Sequence, residues 1–444
     1  MNRSTLWPFK SSRHKGSGLV AALDVGTSKI VCLIARTDAE GQAQIVGIGH
    51  LLSSGIKAGI ISQMEPAQQA IAQAVSAAEQ MADVEIDRVV VNISGGHVAS
   101  QDYTLDLSLA GHEVGQAEVA HLMREAADLS LDESDVAREI IHALPLSYRL
   151  DGQRGIKNPL GMIGQKLGVD LHLITAAFGP VRTLAAAVAR SHLEVDQMVV
   201  SSYASGLSCL VEDETDLGCT MIDMGAGTTT FAIFFEGQCV YTGSVPVGGA
   251  HVTNDIARGL TTSTAHAERL KTLYGFAQKS ALDERETIQV PQMGDDLPDH
   301  ATQIPKSHLT GIIQPRLEEV FEMVKKKLDD SGLQEVVGKR VVLTGGASQL
   351  PGMRELAQRV LDKTVRLGKP LKLVRSAAHG KNAPEARLLE GTHPDMANGP
   401  NFSTAVGLLH AALNPSPITI TGFGEERLST SAFGRLGQWF KQAI

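Results

Sequence analysis

No run in the chain approaches the roughly 18 uninterrupted apolar residues of a membrane-spanning helix, so it is not expected to cross a bilayer that way. The first eighteen residues also lack the roughly 7–15-residue apolar core of a secretory signal, so export is not expected. Cysteine is scarce. Cys32, Cys209, Cys219 and Cys239 lie scattered in apolar, strand-like segments with no CxxC or Cys/His spacing. Buried reduced thiols are the reading that follows, rather than disulfide or metal chemistry. The 15 histidines are dispersed, and none has metal-ligand spacing with carboxylates or cysteines. An excess of positive charge is missing too, since a net charge of −9 argues against general nucleic-acid binding. The exception is local: residues 1–18 carry Arg3, Lys10, Arg13 and Lys15 and no acid. Neither a Walker A loop nor a complete GxGxxG fingerprint occurs, because Asp223–Thr229 has a GxG but no third glycine.

What is present is a chain of 444 residues, longer than one core usually supports, with the 43% apolar and 20% charged residues of a soluble globular protein. Leu19–Arg36 reads as two β-rich runs either side of a Gly-Thr-Ser turn, hence a hairpin. A third strand is expected at 44–51, a helix over Pro66–Met81 and a strand over Arg88–Ser94. From about 85 to 170 the texture changes to short strands (Asp102–Leu109, Ser147–Leu150), an amphipathic helix (Gln116–Leu129) and the turn-rich GIKNPLGMIG. That reads as an inserted α/β module. Leu171–Ala177 returns to strand and Pro180–Ser191 to helix. The pattern then restarts: Thr220–Phe235 is again strand, Gly-rich turn and strand, with LDVGTSKIVCLI aligning against IDMGAGTTTFAI about 200 residues later. Such a repeat predicts two halves of similar topology. Helices are expected near 251–274 and 308–330 around an exposed Pro/Asp-rich stretch (283–305), then a strand, turn and helix over Arg340–Val360, a polar loop (376–401) and a helix over Ser403–Leu413.

Both Asp-x-Gly turns have the parts to hold a nucleotide tail. Glycine lets backbone N–H groups approach phosphate oxygens, and the hydroxyl residues beside it donate further bonds. An aspartate at the strand end suits Mg²⁺ held through its waters. Each turn joins strand to strand, and either alone reads equally as a tight hairpin. Two in register favour a phosphate clamp. In VVLTGGASQLPG (341–352), Gly345-Gly346 removes side chains where a base or ribose would press, although an ordinary βα turn has the same look. On the helix Thr264–Tyr274, Glu268 and Lys271 share a face and form either a surface ion pair or a ribose contact.

Two Asp-Gly hairpins followed by a late Gly-Gly turn resemble the actin/Hsp70/hexokinase superfamily. The runs GIKNPLGMIGQKLGVDLHLIT (155–175), LSCLVEDETDLG (207–218) and STAVGLLHAAL (403–413) resemble the bacterial FtsA family, from about residue 19 to the end. The fold implied is α/β: an actin-like ATPase with duplicated ribonuclease-H-like halves around a nucleotide cleft, an inserted subdomain and a C-terminal amphipathic helix. The divisions implied are a basic tail (1–18), a first half 1A (19–84 with 171–205), an inserted subdomain 1C (85–170), a second half 2A (206–250 with 331–413), subdomain 2B (251–330), a linker (414–431) and the helix (432–444). The resemblance implies ATP and Mg²⁺ as ligands. Asp24, Gly26, Thr27, Ser28 and Lys29 would form the first phosphate loop, with Asp24 holding the metal through water. Asp223, Gly225, Gly227, Thr228 and Thr229 would form the second, Gly345, Gly346 and Ala347 the adenosine turn, and Glu268 and Lys271 the ribose and base contacts. It also implies that 2B receives the acidic C-terminal peptide of the tubulin-like FtsZ, with Lys306 and Arg316 as candidate cations. Further implied partners are other copies of the chain in filaments and later division proteins, the latter through 1C.

The C-terminal helix has its own physics. Projected from Phe433, the side chains of Leu436, Phe440 and Ile444 fall within about 80° of one another, with Trp439 flanking and Arg435, Gln438, Lys441 and Gln442 opposite. An apolar face with two cations and no acid suits the interface of an anionic membrane, although such a face also suits docking on protein. Being short, it would bind weakly alone and need several copies on one polymer. The expected function is therefore an ATP-binding, polymerising protein that tethers FtsZ filaments to the cytoplasmic face of the inner membrane at the division site. The alternatives are a type IV pilus-assembly relative and a small-molecule kinase of the same fold, for which no sugar-pocket motif is found. An Hsp70-type chaperone would need a further domain. No residue orienting an attacking water is evident, so slow or negligible ATP turnover is expected.

Overall fold

The computed structural model describes residues 18–37, 43–127, 129, 137–279, 284–294, 301–334, 338–371 and 397–414. Strands β1 (Leu19–Val25), β2 (Lys29–Thr37) and β3 (Ala43–Leu52) form an antiparallel meander, followed by a small ribbon, β4 (Ile56–Lys57) and β5 (Ile60–Ile61). Helix α1 (Met64–Ala82) buries Ala67, Ala70, Ile71, Ala74, Val75 and Ala78, spaced three and four apart, and leads to β6 (Arg88–Ile93), parallel to β1. A four-stranded module intervenes, made of β7 (Ala99–Ser108), α2 (Gln116–Ala127), β8 (Arg138–Leu150), β9 (Gln153–Ile156) and β10 (Lys166–Ala177). Then α3 (Phe178–Ala189) carries the chain to β11 (Glu194–Val200), parallel to β6.

After α4 (Ser201–Cys209) and α5 (Glu212–Leu217) the scheme repeats. β12 (Cys219–Met224), β13 (Thr229–Phe235) and β14 (Gln238–Val245) form a second meander. Helices α6 (Gly249–Gly259) and α7 (Thr264–Tyr274), the ribbon β15 (Thr287–Val290) with β16 (Thr302–Pro305), and α8 (Lys306–Asp330) precede β17 (Arg340–Thr344), parallel to β12. A 3-10 turn and α9 (Met353–Leu361) lead to β18 (Thr364–Leu367), and α10 (Ser403–Leu413) follows. The sheet orders β3-β2-β1-β6-β11 and β14-β13-β12-β17-β18 are the same arrangement twice. The repeat seen in two hairpins therefore extends to two five-stranded sheets.

The two sheets are not independent. Helix α4 packs on α10 and reaches β12 and β13, while α10 lies on β1, where Phe402, Ala405, Leu408 and Leu409 share a core with Val20, Ala22, Val31 and Leu33. Each helix thus lies against strands of the other sheet. The helices touch so closely at Gly407 that a Cβ there would overlap the Ala204 carbonyl oxygen. The inserted module is also fastened to the second sheet: the Ser100 hydroxyl donates to the Thr242 carbonyl at 2.8 Å and accepts from the Thr242 N–H at 2.7 Å. Lys157 pairs with Glu236 at 2.7 Å.

Four sequence expectations change. The inserted module, expected at 85–170, runs from β7 to β10, since Arg88–Ile93 pairs within the first sheet and residues 171–177 continue β10 of the module. The strand expected at Ser147–Leu150 is the end of a 13-residue strand starting at Arg138, because Pro145 falls at a register shift that the ladder absorbs. The stretch 283–305, expected to be exposed, contains the β15–β16 ribbon, whose Ile288 and Val290 are buried. Residues 192–219, given no elements, supply β11, α4 and α5. All four cysteines are free and buried.

Candidate functional site

The two hairpin turns close in the same way. Gly26 N–H donates to the Lys29 carbonyl at 3.0 Å, and Gly225 N–H donates to the Thr228 carbonyl at 2.9 Å. Each glycine follows its aspartate by two residues at the end of a central strand, β1 or β12, so both acids point to the same side of their sheets. The turns meet: a Cβ on Gly227 would come within 2.5 Å of the Thr27 hydroxyl, which accepts from Gly59 N–H at 3.0 Å.

Between them opens a cleft of about 800 Å³. Of the residues expected to touch a nucleotide, Asp24, Gly26, Thr27, Ser28, Lys29, Asp223, Gly225, Gly227 and Thr228 line it, as do Glu268, Lys271, Gly345, Gly346 and Ala347. Thr229 does not. Its side chain turns the other way along β13 and donates to the Val247 carbonyl at 2.8 Å, while Thr230 faces the cleft. Gly345 has φ +89°, and a Cβ there would overlap Asp223 Oδ1, whereas a Cβ on Gly346 would meet none of the described residues.

The charges at the cleft floor are buried. Burial raises the Asp24 carboxyl to about 7, with Lys29 opposing and Asp223 adding to the rise. Burial likewise raises Asp223, against hydrogen bonds from Ser205 and Thr404, and lowers Lys29. The Lys29 ammonium donates to the Asn401 carbonyl and stands 4.9 Å over the Phe402 ring, which ties the first turn to the segment before α10. On the far wall Lys271 bonds Glu268 at 2.7 Å and the Thr253 hydroxyl at 2.8 Å. Asp24, Asp223 and Lys29 at the floor, with the paired glycine turns, suit a polyanion brought in with a divalent cation, which would restore the ionised form of Asp24.

Several cleft residues escaped the sequence reading. Asn92 accepts from Val25 N–H at 2.6 Å and donates to Ser201 at 3.1 Å, so it holds the first turn to β6. An asparagine closing the apolar run RVVVNI was an available signal. Thr404, also in the cleft lining, gave none, nor did Ser205, which is buried behind Asp223. Lys306 and Arg316 lie outside the cleft on α8, about 15 Å apart by helical rise. Lys306 pairs with Glu286 at 2.9 Å, and Arg316 pairs with Asp255 at 2.6 Å and with Glu319. The residues expected at a membrane, Phe433, Arg435, Leu436, Trp439, Phe440, Lys441 and Ile444, lie outside the described residues.

A family model described as "Cell division protein FtsA" matches residues 220–407, and one described as "SHS2 domain inserted in FTSA" matches 95–175, the span of the four-stranded module. The cell division protein FtsA of Rhizobium meliloti (strain 1021) is 40% identical over 98% of this chain and 97% of its own length. That of Pseudomonas aeruginosa is 34% identical over 88% of each chain, and that of Escherichia coli (strain K12) is 31% identical over 96% of each. Among solved structures, the PilM-PilN type IV pilus biogenesis complex superposes with a TM-score of 0.61 at 16% identity, covering 89% of this chain and 99% of that one, a likeness of fold. With relatives this similar along nearly its whole length, the chain belongs to the cell division protein FtsA family and has an actin-like α/β fold.

Proposed function

We propose that the cleft binds ATP with Mg²⁺, and that the protein polymerises in that state and tethers FtsZ filaments to the cytoplasmic face of the inner membrane. The observation that carries the nucleotide reading is the convergence of both Asp-Gly turns and Gly345-Gly346 on one cleft. In this reading the turns from Gly26 to Lys29 and from Gly225 to Thr228 cradle the phosphates, and Asp24 orients the waters of the cation. Glu268 and Lys271 stand at the ribose, and Gly346 leaves room for the base. The cation supplies charge neutralisation between the phosphates and the carboxylates. Membership of a cell-division family supports division-machinery partners. Lys306 and Arg316 on α8 are the proposed contacts for the acidic FtsZ peptide, which would have to compete with their present partners Glu286, Asp255 and Glu319. The inserted module is the proposed contact for later division proteins. The helix 432–444 is the proposed membrane anchor.

Co-sedimentation with anionic liposomes tests this directly, comparing the full chain with one truncated after Thr430, with and without ATP-Mg²⁺. Pelleting that depends on ATP and disappears on truncation is the expected result. Equal pelleting of both chains, or of neither, removes the helix from the anchor role.

A further inference from the structure

We propose that Ser205 and Thr404 are positioning residues that fix the aim of the Asp223 carboxylate in the cleft, an inference that rests on the nucleotide reading above. The two Asp-Gly turns are alike in sequence, yet their acids are held differently. Asp223 Oδ2 accepts from Ser205 Oγ at 2.6 Å and from Thr404 Oγ1 at 2.7 Å, and the two hydroxyls lie 3.1 Å apart. Oδ1 lies in the space that Gly345 leaves by having no side chain. Both oxygens are therefore constrained, one by donors and one by packing. No such hydroxyl clamp is found on Asp24 among the described residues.

The donors come from far along the chain. Ser205 is on α4 and Thr404 on α10, the two helices that cross between the sheets, and both side chains are buried. They end a seam of small hydroxyl groups inside an otherwise apolar interface. Ser208 donates to the Ser403 carbonyl at 2.7 Å, and Ser403 meets the Thr344 hydroxyl at 2.7 Å. Burying so many hydroxyls costs free energy unless each finds a partner. Here the partners specify one register of α4 on α10, and that register delivers two donors to one carboxylate oxygen. Alanine or valine at these positions would fill the same helix crossing without orienting the acid. A hydrogen bond to a charged group counts for more than one between neutral groups, so each donor matters to where the carboxylate points.

Isosteric substitution separates aim from packing. Thr404→Val removes the hydroxyl at nearly constant volume, and Thr404→Ser keeps the hydroxyl while losing a methyl. ATP affinity of the full chain is measured by calorimetric titration in Mg²⁺ and in EDTA, beside the melting temperature of each nucleotide-free variant. The Mg²⁺-dependent gain in affinity is expected to fall on the order of tenfold in Thr404→Val and to be kept in Thr404→Ser. Ser205→Ala, which leaves Thr404 in place, is expected to lose a similar factor and stands in should Thr404→Val fail to fold. Wild-type gain in variants that lack either hydroxyl, whatever their melting temperature, overturns the positioning role alone. Wild-type protein that binds no ATP in the same cell removes the nucleotide reading and this inference with it.

Discussion

His142 and His410 are buried and neutral, and each makes the folded state harder to protonate. Burial holds His142 down to about 3, with the charge of His172 adding to the effect, and burial alone holds His410 at about 4. An unfolded histidine titrates near 6.5, so between that pH and the folded values the unfolded chain binds more protons. The histidines' contribution to stability is therefore constant above about pH 7 and falls as pH drops below about 6.5, against an opposite contribution from Asp24, whose raised carboxyl takes up a proton in the folded state over part of the same range. The slope is about 1.4 kcal/mol per pH unit for each histidine, or about 2 kcal/mol each at pH 5. His410→Leu, replacing a ring whose Nε2 has no hydrogen-bond partner among the described residues, should remove one such slope in chemical denaturation between pH 7.5 and 5. An unchanged slope would show that His410 is not held neutral. At this scale the site was legible where a residue type is uncommon in its place. Aspartate and glycine at the end of an apolar strand stand out, and occurring twice they stand out more. Ser205 and Thr404 did not, because small hydroxyl residues are ordinary in helices and only the crossing brings them to Asp223. Thr229 and Thr230 are indistinguishable until the pleat assigns one to each face.

Among the elements, the crossing of α4 and α10 is the most sensitive to a single atom. Gly407→Ala would drive a methyl into the Ala204 carbonyl, and such overpacking typically costs about 1–3 kcal/mol or more. Gly179 in α3 is the natural control, since none of the described residues lies within 4 Å of a Cβ there. Gly179→Ala should be neutral or stabilise by roughly 0.5 kcal/mol through helix propensity. Paired thermal melts check both, and similar melting of the two variants would mean that the helices do not meet where described. Elements with strong periodicity, such as α1 and the two hairpins, were readable from residue spacing. The ribbon β15–β16 was not: each strand has only four residues, and its two buried positions, Ile288 and Val290, lie in a stretch dominated by polar residues and proline. The polar seam between α4 and α10 concealed α4 for the same reason, as SSYASGLSC has little apolar contrast to show a period.

At the scale of the whole molecule, the thiols report on the integrity of both sheets. Cys32 is on β2, Cys219 on β12 and Cys239 on β14, each pushed up to about 12 by burial, and Cys209 on α4 is raised as well. An aromatic disulfide reagent should therefore label none in the native protein and four in denaturant. Rapid labelling of one thiol under native conditions would mark a sheet that opens. The duplication was legible because both meanders carry the same turn, whereas the outer parallel strands β11 and β18 became assignable only once their neighbours were known. The exchange of helices between the halves also bears on how the chain is made. Val20, Ala22, Val31 and Leu33 emerge from the ribosome first, yet Leu408 and Leu409, which cover them, are synthesised roughly four hundred residues later. At about 5–20 residues per second, the first sheet waits on the order of 20–80 s with one apolar face bare. Its final closure must await α10, and until then the nascent chain offers that face to any chaperone, or any neighbouring nascent chain, within reach.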